Sequence, residues 1–145
     1  YVVMTGHPDM SVGELFPTDV LLMSIPPGIL TALLLLINEF PDLEADKMGG
    51  RNHLVIWLGR KKAAYVYTMG MVATFGVIIG AALFSVVSSW FMLALLPMPL
   101  AYKAVMGAIR YGNDTPRLIP ALGMNVLTVL STDLFIAVAV VIETF

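Results

Sequence analysis

Asn38, Asp42 and Asp46 recur every four residues in the stretch NEFPDLEADKMGGRNHLVIWLG, residues 38–59. On a helix that interval stacks side chains along one face, about 6 Å apart from turn to turn. Two carboxylates and an amide oxygen in such a row form a hard, oxygen-rich edge. Magnesium suits that edge, because it commonly takes one or two carboxylates and leaves its other positions to water and substrate phosphate. Lys47 and Arg51 follow, and either can neutralise phosphate oxygens. Gly49 and Gly50 predict the end of a short helix and a reversal of the backbone. The combination points to a diphosphate site. DxxxD is nevertheless a short pattern, and the plain alternative is a solvated loop between two membrane helices.

The elements that must position these residues follow from composition. The chain of 145 residues is 59% hydrophobic and 12% charged, with a mean hydropathy of +0.88, whereas a soluble domain averages about 25% charged residues. This is the composition of a membrane protein. The net charge of -2 says less than the placement of charge does. The absence of cysteine excludes disulfides, thiolate catalysis and cysteine metal sites. No nucleic-acid partner is expected.

Four apolar stretches reach the roughly 20 residues that a helix needs to cross a hydrocarbon core: 19–37, 63–84, 87–109 and 119–142. They predict an all-α, multi-pass transmembrane bundle with no soluble domain. Pro26, Pro27 and Gly28 in the first span, and Pro97 and Pro99 in the third, predict a kink in each. Lys47, Arg51, Arg60, Lys61 and Lys62 lie between spans one and two, and Lys103, Arg110 and Arg117 lie at the end of span three or just beyond it. By the positive-inside tendency both regions, and the acidic motif with them, are expected on the cytoplasmic side. The opening residues 1–18 carry Asp9 and Glu14 but no lysine or arginine, and they are expected on the other side. A chain opening on Tyr1 is expected to be a piece of a longer protein.

The string N-E-F-P-D-L-E-A-D-K-M-G-G-R-N-H-L-V-I-W-L-G-R, about 23 contiguous residues, resembles the second aspartate-rich motif of the UbiA superfamily of intramembrane prenyltransferases. It is most similar to the branch that includes the dihydroxynaphthoate prenyltransferases of menaquinone synthesis. Members have nine transmembrane helices and two aspartate-rich loops, the second between helices six and seven. One span before the motif and three after it therefore resemble helices six to nine, and residues 1–145 are expected to be the C-terminal part of a single prenyltransferase domain.

The resemblance implies transfer of a polyprenyl group from a polyprenyl diphosphate to an acceptor, often aromatic, with Mg2+ held by both motifs assisting loss of diphosphate to leave an allylic carbocation. Asp42 and Asp46 match the magnesium-binding aspartates, and Asn38 matches the Asn that opens the motif. Lys47 and Arg51 fall at basic positions and are the candidates for diphosphate contacts. His53 stands where many relatives carry Thr or Ser. Nothing here can serve as the first motif, so the partner of this site is expected in a missing N-terminal half. A CDP-alcohol phosphotransferase is a weaker match, because the Asp-Gly and Ala-Arg pairs of that family are absent upstream of Asp42. A non-catalytic helical module or transporter fragment remains the alternative from another class.

Other polar residues admit bland readings. Glu39 neighbours Asn38 and points elsewhere on a helix, which suits a solvated carboxylate at least as well as one supporting the metal's ligands; Glu44 should face away from both aspartates, and both stay outside the site. His53 reads as a loop histidine with an ordinary hydrogen bond. Asp133, near the middle of span four, needs a cavity or a partner. Asn113 or Asp114 before Thr115-Pro116 reads as a helix start. Tyr65, Tyr67, Trp90, Phe91, Tyr102 and Tyr111 suggest an aromatic belt, and methionines such as Met71 and Met98 offer adaptable surface for packing or for an isoprenoid tail. With half the metal cage absent, the 145 residues expressed alone should give no magnesium-dependent prenyl transfer. Detectable turnover by the isolated chain would defeat that expectation.

Overall fold

A computed structural model of the chain describes residues 17–144; Asp9 and Glu14 lie outside them. The described residues form four helical passes: α1, Thr18–Met48; α2, Leu54–Leu83; a 3-10 helix, Ser89–Leu95, leading into α3, Met98–Tyr111; and α4, Thr115–Thr144. Each pass is long and apolar enough to cross a membrane. The expected spans are all present, and the helices extend beyond most of the predicted ends. α1 packs against α2 and α4, and α3 packs between α2 and α4, so consecutive antiparallel passes close into a four-helix bundle. Its core is built from Leu30, Ile37, Phe40, Val55, Ile78, Phe91 and Leu118, all fully buried.

The two proline clusters behave differently. α1 runs unbroken through Pro26, Pro27 and also Pro41, so the motif is not a separate short helix in a loop. It is the last three turns of the first pass. In the third pass the break is complete rather than a kink. Pro97 is the N-cap residue of α3 and Pro99 lies in its first turn, where a missing N–H leaves no intrahelical bond unmade. Before it, Phe91 and Ala94 anchor the 3-10 segment in the core.

Two glycines set the geometry around the motif. Gly50, at φ +70°, closes the end of α1, and Gly59, at φ +75°, breaks α2 into a short Leu54–Leu58 turn and the pass proper. A side chain at Gly50 would meet the left-handed penalty of roughly 1–2 kcal/mol, and Gly59, with ψ 156°, lies in a region that essentially only glycine occupies. At the start of α4, Asp114 accepts from the backbone N–H of Arg117 at 3.3 Å, which confirms the helix start expected there.

Inside the bundle Tyr67 is fully buried and its hydroxyl donates to Asn125 Oδ1 at 2.7 Å. This tyrosine ties α2 to α4 and does not belong to the aromatic belt. Phe91 is likewise a core residue, whereas Tyr65, Trp90, Tyr102 and Tyr111 are exposed. Asp133 is half-buried and its Oδ1 has no hydrogen-bond partner among the described residues.

α3 and α4 approach so closely that a Cβ at Gly107 would collide with the Cβ of Ala121, while one at Gly123 would meet open space. Gly107→Ala should therefore lower the stability of the bundle by about 1–3 kcal/mol, the usual range for overpacking, and Gly123→Ala should not. Ala121→Gly in the Gly107→Ala background should recover most of the loss. Unfolding in mild detergent followed by circular dichroism checks this, and equal effects of the two glycine variants would contradict the close approach.

Candidate functional site

The motif occupies the end of α1 that projects past the apolar part of the bundle. All eight lysines and arginines of the chain lie at that end of the four passes or, for Lys103, two turns inward from it. The three residues expected in one row do not share one environment. Asn38 and Asp42 are exposed and, among the described residues, make no hydrogen bond or ion pair. Asp46 is 8% exposed and counts among the buried residues of α1. A four-residue interval advances about 40° beyond a full turn, so the row turns from the surface at Asn38 into the bundle by Asp46.

Asp46 is held on both oxygens. Arg51 Nη1 donates to Oδ1 at 3.0 Å, and His53 Nε2 lies 3.1 Å from Oδ2. A carboxylate can only accept, so this contact calls for the tautomer with hydrogen on Nε2. On the other side of the ring, His53 Nδ1 lies 2.9 Å from Glu39 Oε2. That is ion-pair distance, attractive only when the ring carries hydrogen on both nitrogens, and neither atom has a hydrogen-bond partner among the described residues. The Gly49-Gly50 turn makes the arrangement possible, because it brings Arg51 and His53 back against the helix they have just left; the Arg51 N–H itself donates to the Asp46 carbonyl at 3.0 Å.

Arg60 closes the site from α2. Its Nε donates to the Phe40 carbonyl at 2.9 Å and its Nη1 is 3.9 Å from Glu44. Glu44 also pairs with Lys47 at 3.5 Å on the solvent side. Glu44 thus faces away from the aspartates, as expected. Glu39 does not behave as a solvated neighbour of Asn38. It lies seven residues before Asp46, on nearly the same face, and joins it through His53. Of the basic candidates, Arg51 is bound to Asp46 and Lys47 to Glu44. His53 makes the ordinary hydrogen bond expected of it, to Asp46, while Glu39 and Arg60 were not foreseen as members of this network. The i, i+7 relation of Glu39 to Asp46 was the available signal.

As a metal site the arrangement is half-built. No group of three or more acidic or histidine side chains among the described residues is arranged to hold an ion. Asp42 and Asn38 still present free oxygens beside a carboxylate whose position is fixed. Asp46 also keeps acceptor capacity, since each of its oxygens has a second lone pair. A donor set of this kind fits magnesium when the remaining positions come from substrate or from another part of a longer chain.

The UbiA prenyltransferase family profile matches residues 1–128. The chain belongs to that family. Over 96 residues it is also 31% identical to the 1,4-dihydroxy-2-naphthoate octaprenyltransferase of Bacillus subtilis (strain 168), an alignment covering 66% of this chain and 30% of that protein. The alignment thus spans less than a third of that relative's length. No solved structure matches the chain. Membership of the UbiA family, with four helices able to cross a bilayer, makes this an integral membrane protein.

The network predicts unequal coupling within the UbiA motif. In double-mutant cycles read by unfolding, Asp46→Ala with His53→Ala should couple by about 0.5–3 kcal/mol, as groups in one hydrogen-bonded network do. Glu44→Ala with Lys47→Ala, an exposed i, i+3 pair, should stay near 0.3–0.5 kcal/mol. Coupling at His53 no larger than at Lys47 would mean that the imidazole does not hold Asp46.

Proposed function

We propose that this chain is the C-terminal part of a magnesium-dependent enzyme that transfers a polyprenyl group from a polyprenyl diphosphate to an aromatic acceptor, with a naphthoate of the menaquinone type favoured. The observation that carries the reading is the exposed Asn38–Asp42 edge standing beside the clamped Asp46, where an apolar helix leaves the membrane. Family membership and the octaprenyltransferase relative support the same substrates.

The placement suits a ligand with one lipid end and one charged end. The apolar length of α1 leaves the isoprenoid tail in the bilayer, and Asn38, Asp42 and Asp46 meet the head at its surface. When bound, magnesium would supply Lewis acidity and a template for the diphosphate. Asp42 and Asp46 would hold it, with Asn38 beside them. The part played by the chain itself is positional. Arg51 and His53 keep the Asp46 carboxylate from turning, which removes one source of disorder before substrate arrives. Lys47 and Arg51 sit where they can share phosphate charge, Lys47 by leaving a weak exposed pair with Glu44 and Arg51 through the guanidinium nitrogens that Asp46 does not use. The basic residues gathered at this end favour its placement on the cytoplasmic side, and an N-terminal half bearing a second acidic motif would complete the site.

The test is the full-length protein assayed for transfer from a polyprenyl diphosphate to dihydroxynaphthoate. Activity should require magnesium and fall by about 10²-fold or more in Asp42→Ala and in Asp46→Ala, the scale on which removing one electrostatic contact to the transition state acts. Glu44→Ala should retain activity. A parent that binds prenyl diphosphate without using dihydroxynaphthoate would reject the acceptor and keep the family chemistry. Equal activity with and without magnesium would sink the metal role of the aspartates.

A further inference from the structure

Four of the eight basic residues are engaged within the chain: Lys47, Arg51 and Arg117 with carboxylates, and Arg60 with Phe40 and Glu44. The other four, Lys61, Lys62, Lys103 and Arg110, make no hydrogen bond or ion pair among the described residues. Two of these line a groove of about 400 Å³ between α3 and α4. Lys103 and Arg110 enter it from α3 and Arg117 from α4, with Tyr102 and Tyr111 beside them. No residue of α1 or α2 contributes to it, so the groove is separate from the aspartate site. Arg117 shares its charge with Asp114 at 3.4 Å, which leaves the groove with a surplus of positive charge and no acidic residue in its lining.

Depth gives the second observation. Lys103 lies two turns, about 10 Å, further along α3 toward the membrane interior than Arg110, and an unpaired cation in a spanning helix calls for a partner. On the other side of Tyr102 a second trough of about 470 Å³ runs between α2 and α3, lined by apolar residues that include Met71, Phe75, Met98 and Val105. Tyr102 lines both. The cationic pocket lies toward the charged end of the bundle and the apolar trough toward its middle, in the order in which a lipid presents its phosphate and its chain.

We propose that this paired groove binds an acidic phospholipid of the leaflet at the motif end, its phosphate between Lys103, Arg110 and Arg117 and one acyl chain passing Tyr102 into the apolar trough. Basic pockets between transmembrane helices recognise anionic headgroups by this combination of charge and geometry. A soluble anion would leave the trough unused, and a zwitterionic lipid would leave the charge surplus uncompensated. The transferase reading is not needed for the proposal.

The experiment uses delipidated full-length protein in a neutral detergent, with thermal unfolding and native mass spectrometry as readouts. Phosphatidylglycerol should raise the unfolding temperature by several degrees more than equimolar phosphatidylcholine and stay bound through collisional activation that strips phosphatidylcholine. Lys103→Gln and Arg110→Gln should each lose at least half of that difference. Both side chains are exposed, so neither change removes core packing. Lys62→Gln, which removes a charge at the same end outside the groove, should keep the difference.

Equal effects of the two lipids would overturn the proposal, as would a loss with Lys62→Gln as large as with Arg110→Gln. Glycerol phosphate alone giving the full shift would make this a free-anion site. Displacement of the retained phosphatidylglycerol by stoichiometric prenyl diphosphate would make it a substrate site. Either result replaces the phospholipid.

Discussion

A hydrocarbon core is about 30 Å thick, and a 31-residue helix at 1.5 Å per residue is about 46 Å long. α1 must therefore leave the bilayer with roughly its last ten residues. That single mismatch governs the architecture. Residues up to Ile37 can be almost wholly apolar, whereas Asn38 to Met48 can carry four carboxylates at little solvation cost. Because the helix does not stop at the boundary, the motif inherits the rigidity of a packed transmembrane element, with Phe40 and Leu43 buried in the same core as Leu30 and Ile37. The acidic residues are placed by the bundle and not by a mobile loop.

Rigid placement explains why two aspartates one turn apart differ so sharply. Asp42 faces outward and keeps its oxygens free, while the 40° advance of the next turn carries Asp46 inward, where an unpaired carboxylate would be strongly disfavoured. The chain answers by folding back immediately. Gly50 supplies the left-handed turn, Arg51 and His53 supply donors, and Gly59 lets α2 re-enter the bundle with Arg60 against the Phe40 carbonyl. The first half of the 38–60 string holds the carboxylates, and the second half holds them still. Threonine or serine at position 53 could reach one carboxylate, whereas the imidazole stands between two, with one ring nitrogen 3.1 Å from Asp46 and the other 2.9 Å from Glu39.

The spans and the family were legible because their signals are local: some 20 mainly apolar residues with at most one charge, and a 23-residue motif in fixed order. The helix start at Asp114 was legible for the same reason. What sequence reasoning lost depends on continuity and on return. Nothing in Pro26, Pro27 or Pro41 announces that α1 runs through all three, because what neighbouring passes contribute along a helix is not a local signal. The restart at Pro97 differs from a kink by the burial of Phe91 and Ala94 ahead of it, which is a tertiary fact. Tyr67 looked like a belt residue by its distance from the helix end, and its partner Asn125 is 58 positions away. The immediate neighbours of Glu39 give no sign of its place, because its relevant relation is to a residue two turns on and to a histidine beyond the turn.

Charge placement ties these threads together. Eight cations gather toward one end of the bundle, and half of them are consumed in holding carboxylates or carbonyls of the chain itself. In a low-dielectric boundary region the unspent half sets up a field that extends past any single contact. Such a field cannot distinguish a diphosphate from a phospholipid by charge alone. Discrimination has to come from what stands beside the charge. At the motif, on the proposed reading, that would be the oxygens of Asn38 and Asp42 beside the clamped Asp46, which could share a divalent ion with a diphosphate and would offer nothing to a lone phosphodiester. Beside the cationic groove of α3 and α4 it is the apolar trough between α2 and α3, with no carboxylate in the lining of either, which favours a chain over a second phosphate. On these two proposals the same basic excess would serve two ligands at separate places, because four carboxylates stand at the motif and none lines the groove.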